Sequence, residues 1–279
     1  MSYSILDSHC HAWRVWPYPP LVPDELSRGT IDQLIYEMNV HGVEQAVVVC
    51  AAIGNNPDNV EYVSFARSRY PDRIQVVADL DCTWHETYHR PGSADRLRAL
   101  ADRYQLAGFT HYLGADNDGW LASDEASQLL TVADERGLLV SLAASPVWQE
   151  DLRVLARRHP GVPILCHHLG GASVSADPAL LRTLIESVSC PNIYIKASGF
   201  HYASPREWDY PWPDGIELFR QIFEAFGAER LCWASDFPAS TRYTTYRQSL
   251  EVFRTHCAFL EPGDLEELLG GTLRRILSR

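Results

Sequence analysis

The sequence predicts an α/β fold, a (β/α)8 TIM barrel in a single domain, and three observations carry the prediction. Eight short apolar runs rich in β-branched residues recur along the chain, the character of parallel strands buried on both faces. Segments of helical periodicity with start or stop signals lie between them. The chain has 279 residues, 46% of them hydrophobic, a size at which such barrels run as one domain, here residues 1–279. A doubly wound open sheet is the competitor. That fold usually carries a Gly-rich loop after a strand, and neither G-x-G-x-x-G nor G-x-x-x-x-G-K-[ST] occurs.

The expected strands, in order, are YSILDSH (3–9), QAVVVCAA (45–52), IQVVADLD (74–81), LAGFTHYL (106–113), LLVSLAA (138–144), PILCHHLG (163–170), IYIKASGF (193–200) and RLCWASDF (230–237). Between them, Thr30 is suited to cap a helix that stops at His41-Gly42, Ser93 to cap ADRLRALADRY, and Ser123 to cap a helix that stops at Gly137. Pro146 suits a first helical turn, Asp177-Pro178 opens the next helix, and Asp214 or Gly215 opens one that stops at Gly227. An amphipathic segment over 264–277 closes the chain, with Gly270-Gly271 interrupting it or ending its first part. Two loops are long and rich in aromatics and proline: AWRVWPYPPLVPDELSRG after the first strand and HYASPREWDYPWPDG after the seventh. Both leave C-terminal strand ends, the face where a barrel carries its active site, and proline-stiffened aromatics make fixed pocket walls.

Composition narrows the function. The formal net charge is -12, from 36 acidic and 24 basic residues, which argues against nucleic acid because phosphate binding needs clustered cations. The pairs Arg157-Arg158 and Arg274-Arg275 lie in helical patterns and read as solvated faces. Seven scattered cysteines, with no C-x-x-C, read as reduced and buried in a cytoplasmic protein. No signal peptide and no apolar run of transmembrane length is expected, so no membrane partner.

The chemistry gathers at strand ends. His9 and His11 are two residues apart on the first strand and share a side, with Asp7 one step below. His168 ends the sixth strand, Lys196 lies in the seventh, and Asp236 ends the eighth. Closing the barrel brings Asp236 beside His9 and His11, with His168 across the mouth. Neutral imidazoles and a carboxylate suit one divalent ion, Zn or Mn, with an open position for water. Without a metal, Asp236 can take a proton from water while the histidines hold a carbonyl oxygen. His167 neighbours His168 and is read as packing against a helix. His41, His85, His89, His159 and His256 are read as surface groups. Asp79 and Asp81 are read as structural, and no serine has a G-x-S-x-G setting.

These residues carry a family resemblance. LDSHCHAW at the start, HLGG after the sixth strand, IKASG on the seventh, SDFP after the eighth and LLGGTLRRIL at the end resemble the amidohydrolase superfamily, in its amidohydrolase 2 branch. The aromatic after H-x-H and the K-x-S-G strand are similar to the lactonase group, which includes 2-pyrone-4,6-dicarboxylate lactonase, 4-sulfomuconolactone hydrolase and L-fuconolactonase. The resemblance implies His9, His11, His168 and Asp236 as ligands of one divalent ion, or as carbonyl-binding groups and base if no metal is used. It implies Lys196 as a group that binds a substrate anion or holds the mouth together. Trp13, Arg14, His111, Tyr112, Lys196 and His201 are the expected substrate-binding residues, with Tyr202 beside them. The chain departs from the superfamily's two-metal pattern: GFTHYL and VSLAAS offer no bridging Lys or Glu and no strand-5 histidine, unless His111 substitutes. Thr110 stands where the lactonase group often has Arg, and Arg14, His111 or Lys196 would have to compensate for an anionic substrate.

The sequence thus points to a hydrolase of a small cyclic ester. A metal-dependent, non-oxidative decarboxylase of an aromatic or unsaturated carboxylic acid is the alternative, and a binding protein on a degenerate barrel the third. Substrate identity and oligomeric state stay open, a homo-oligomer included.

Overall fold

Each apolar run becomes a strand because its neighbours on both sides bury it. A computed structural model describes residues 3–279; Met1 and Ser2, which the expected domain includes, lie outside the described residues. The strands are β1 (Ile5–Cys10), β2 (Val43–Cys50), β3 (Ile74–Asp79), β4 (Gly108–Tyr112), β5 (Leu139–Ala143), β6 (Ile164–Cys166), β7 (Ile193–Ala197) and β8 (Leu231–Trp233). They pair in parallel in chain order, forming a (β/α)8 barrel. The helices are α1 (Ile31–His41), α2 (Asn59–Arg69), α3 (Ser93–Arg103), α4 (Asp124–Glu135), α5 (Gln149–Arg158), α6 (Pro178–Ile185), α7 (Phe200–Ala203), α8 (Pro213–Phe226), α9 (Tyr246–Glu251), α10 (Pro262–Glu266) and α11 (Thr272–Leu277). None among the described residues is long and apolar enough to cross a membrane.

Two apolar layers hold this together. Leu6, Val47, Val49, Val77, Leu139, Leu165 and Cys232 fill the barrel, and Leu273 and Ile276 of α11 plug its lower end. The alternate residues, among them Ala46, Val48, Ile74, Ile164 and Ile195, meet the helices outside. Gly270 lets the closing segment reach the barrel: a Cβ there would run into the Ser4 carbonyl. Helical turns therefore continue through Gly270-Gly271 into α11, where the sequence suggested an interruption.

The caps follow the sequence with two changes. Thr30 accepts from Gln33 N–H, Ser123 from Ala126 N–H and Asp177 from Ala179 N–H. Ser93 does not cap α3; it begins the helix, and Glu125 of α4 accepts from the backbone N–H groups of Gly92 and Ser93, each at 2.8 Å. The helix expected at Asp214 starts one residue earlier, at Pro213. Helices α2 and α9 carried no clear signal: α2 buries only Asn59, Val63 and Ala66.

The seam between β8 and β1 carries no strand ladder. Ser8 Oγ donates to the Trp233 carbonyl at 2.7 Å, Asp236 N–H donates to the His9 carbonyl at 2.9 Å, and His11 N–H donates to the Phe237 carbonyl at 2.5 Å. Above the seam lie the two aromatic loops. They bury Trp13, Trp16 and Trp212 and leave Leu21 and Trp208 exposed.

Candidate active site

The site starts from a slip in β1. Asp7 pairs with Ala46 and Cys10 with Val48, so two residues, Ser8 and His9, face one on β2. This β-bulge shifts the phase of the strand. Leu6 points into the barrel and Cys10 out of it, and His9 and His11 face inward. The bulge also corrects the expected place of Asp7, which is not one step below the histidines. Its Oδ1 accepts from the N–H groups of His9 (3.1 Å) and Ser235 (3.0 Å), and its Oδ2 from the hydroxyls of Ser235 (2.5 Å) and Tyr246 (3.0 Å). Burial pushes the Asp7 carboxyl up to about 6 against these hydrogen bonds. Asp7 ties the start of the barrel to its end.

Asp236 follows β8 with a positive φ of 55°, and its side chain turns into the mouth. Its Oδ1 lies 3.5 Å from His9 Nε2, 3.6 Å from His11 Nε2 and 3.8 Å from His168 Nε2. Its Oδ2 accepts the Tyr202 hydroxyl at 2.8 Å. Burial works against the charge, but His168, His11 and His9 outweigh it and hold the Asp236 carboxyl well below the usual carboxylate range. Burial in turn lowers His9 and His168, which favours neutral imidazole.

The two histidines after β6 arrive by different devices. The expected strand over 163–170 stops at Cys166. Alternation from the inward Leu165 carries His167 inward, so His167 is in the site and does not pack on a helix. Its Nε2 lies 2.7 Å from Ser141 Oγ and its ring 4.3 Å from that of His9. His168 is swung in by positive φ values at His168 (44°) and Leu169 (54°), and its Nδ1 bonds Ser198 Oγ at 2.9 Å. Below them Lys196, the chain's only lysine, is fully buried. Its Nζ lies 3.1 Å from His9 Nδ1 and 2.6 Å from Ser141 Oγ. Burial lowers its ammonium to about 7.

The other expected residues divide. Trp13 stacks on His11 with centroids 4.7 Å apart and donates its N–H to the Ala51 carbonyl at 2.8 Å. Tyr112 faces inward, its ring 5.0 Å from that of His167. His201 is buried beside Tyr243, with its Nε2 unpartnered among the described residues, and burial lowers it to about 4. His111 and Arg14 are not with the others. His111 alternates with Tyr112 and so leaves the barrel for the helix layer, where its Nδ1 bonds the Leu80 carbonyl at 2.9 Å and its ring stacks on Trp120. His89, read as a surface group, packs against it there. Arg14 is 60% exposed and lies 3.6 Å from Asp58. The sequence reading missed Ser141, Ser198 and Tyr18, whose ring meets the edge of Trp13 at 5.5 Å. The period of two on β5, set by inward Leu139, could have found Ser141.

The donor set fits a divalent ion. His9 Nε2, His11 Nε2 and Asp236 Oδ1 are 3.0 to 3.6 Å apart, close to the ~3.3 Å between tetrahedral ligands at about 2.0 Å from a common centre. His9, His11 and Asp236 form one cluster able to hold a metal, and His9, His167 and His168 a second. The Val49 carbonyl, 2.7 Å from His11 Nδ1, fixes the proton there and leaves the Nε2 lone pair facing the cluster.

A family model described as amidohydrolase matches residues 6–279. The L-fucono-1,5-lactonase of Burkholderia ambifaria is 24% identical over 246 residues, covering 84% of this chain and 80% of that protein. Among solved structures, a probable 2-pyrone-4,6-dicarboxylic acid hydrolase from Acinetobacter baumannii, with citric acid bound, superposes with a TM-score of 0.77 at 18% identity, covering 99% of this chain and 100% of that one. An amidohydrolase from Burkholderia multivorans with bound zinc superposes with a TM-score of 0.79 at 19% identity, over 99% of each chain. At these identities the structural likeness speaks for the fold.

Proposed function

Since the chain belongs to the amidohydrolase family, we propose that it is a lactonase that opens a small cyclic ester with water, using Asp236 as the base. One observation carries the reading: an ionised carboxylate with one oxygen facing three imidazoles and the other fixed by Tyr202. Asp236 accepts a proton from water as the water oxygen bonds to the ester carbonyl carbon. An N–H from the imidazole of His9 or His168 donates to the oxyanion that forms. When the carbonyl re-forms, the ring C–O bond breaks, and the proton held by Asp236 passes to the departing alkoxide. The products are one hydroxy acid and the regenerated carboxylate. Tyr18 and Tyr112, both part-exposed, give the ring flat apolar surface, and Trp13 backs His11 from beneath.

His9, His11 and Asp236, with His168 beside them, would hold zinc or manganese. When bound, such an ion supplies Lewis-acid polarisation of a carbonyl and a lowered pKa for water. The L-fucono-1,5-lactonase relative supports the choice of a lactone.

The test is Asp236→Asn assayed on a lactone panel with and without added zinc. We expect kcat/KM to fall by about 10²- to 10⁴-fold, with the circular dichroism spectrum retained. Turnover within threefold of the parent protein on its best lactone would reject Asp236 as the base.

A further inference from the structure

Lys196 is a buried amine without a counter-ion. Its Nζ pairs with no carboxylate among the described residues, and its two polar neighbours are His9 Nδ1 at 3.1 Å and Ser141 Oγ at 2.6 Å. Burying such a group is costly, and the two bonds it makes are directional. An ammonium nitrogen has three hydrogens and a neutral amine two, enough to donate to both neighbours. His9 then accepts at Nδ1, and a neutral His9 carries its own proton on Nε2. The other edge of the ring agrees. His11 donates from Nδ1 to the Val49 carbonyl at 2.7 Å, so its Nε2 holds a lone pair, and that lone pair lies 3.0 Å from His9 Nε2. A proton on His9 Nε2 turns this contact into a hydrogen bond. As a metal ligand through Nε2, His9 would need its proton on Nδ1, facing Lys196, so the lysine favours the donor over the ligand.

The second branch runs through Ser141. Its hydroxyl oxygen accepts from Lys196, so its single proton goes to His167 Nε2 at 2.7 Å. That leaves the His167 proton on Nδ1, an atom that is buried and has no hydrogen-bond partner among the described residues. The ring faces inward beside that of His9, with centroids 4.3 Å apart, and one nitrogen each of His9, His167 and His168 falls within 4.8 Å of the others. A buried N–H left without an acceptor is costly, and an oxyanion supplies the acceptor it lacks. His168 differs, because the Ser198 hydroxyl at its Nδ1 can donate or accept and fixes no proton.

We infer that His167 is a catalytic residue, a second N–H donor to the oxyanion beside His9, and that Lys196 is the positioning residue that sets the protons of both rings, directly for His9 and through Ser141 for His167. The inference rests on the lactonase reading and adds the pair of donors and the group that orients them.

The experiment reads the tautomers from long-range proton–nitrogen NMR spectra of isotope-labelled histidine side chains, with signals assigned by their loss in His9→Gln and His167→Gln. The parent protein is expected to show Nε2–H at His9 and Nδ1–H at His167. Ser141→Ala is expected to release the tautomer of His167 alone, and Lys196→Met those of both rings. The opposite tautomer at either ring of the parent, or parent-like spectra in both variants, overturns the inference. Ser141→Ala decides alone if Lys196→Met does not fold. On the best lactone, His167→Phe is expected to lower kcat by about 10²- to 10³-fold with KM little changed, the worth of one oxyanion donor. His167→Asn, which keeps an N–H near the Nδ1 position, is expected to recover part of that loss. A loss below threefold in His167→Phe rejects the second donor. If no lactone is turned over, the lactonase reading fails on its own, and the proton pattern set by Lys196 stands or falls on the spectra.

Discussion

Asp236 is shaped at both of its oxygens, and the shaping costs backbone comfort. Left-handed φ values at Asp236 and His168 are worth about 1–3 kcal/mol of strain each in a non-glycine residue. The surrounding hydrogen bonds hold them there. The bond from Tyr202 acts on the oxygen that the imidazoles do not reach, so it orients the carboxylate and leaves free the oxygen that the proposed reaction turns on water. Tyr202→Phe is therefore expected to lower kcat about tenfold, the worth of one hydrogen bond to a charged group, with KM for the lactone moving far less. Steady-state kinetics separates the two, and a change confined to KM would give Tyr202 a substrate-binding role instead. At this scale the sequence showed which residue types would meet and not how. The pattern H-x-H and the aspartate of SDFP were readable. The positive φ at Asp236 and the swing of His168 depend on tertiary contacts that no local spacing encodes.

Single strands decide which neighbours reach the site. A period of two would have set His9 and His11 beside Asp7; the extra residue in β1 separates them. Asp7 itself contributes by capturing the His9 N–H, a side-chain bond that alternation cannot anticipate. On β4 the same period puts His111 and Tyr112 on opposite faces, so adjacent positions could not both line a pocket. His111 then has a consequence for stability. Burial holds it down at about 4, against 6.5 for the free side chain. Between those values the unfolded chain takes up a proton that the folded chain refuses. The stability contribution is full above pH 6.5 and is lost as pH falls toward 4, by about 3 kcal/mol in all. His111→Phe strands the Leu80 carbonyl and is expected to cost about 1–3 kcal/mol at pH 8. Because the variant has no proton to refuse, its deficit in Tm should shrink between pH 6.5 and 4.5. A deficit constant over that range would mean that His111 is not held neutral.

Across the whole molecule, the order of eight apolar runs was enough to specify the barrel, because burial on both faces leaves parallel strands few other arrangements. Closure was less visible. The β8–β1 edge is joined by Ser8, by the Asp236 N–H and by the His11 N–H, so residues of the candidate site also complete the cylinder. Opening that edge would dismantle the site and expose its floor together. The floor holds Lys196, and the remaining 23 cationic side chains of the 24 are arginines. The molecule thus has one ε-amine, and it is hidden. An acylating reagent should leave Lys196 untouched in the folded protein and modify it fully in denaturant, as read by peptide mass mapping. Rapid native labelling at that position would contradict the sealed floor. In slow labelling, each acyl group gained would register one excursion of the cylinder, so the protein carries a built-in chemical clock for its own breathing.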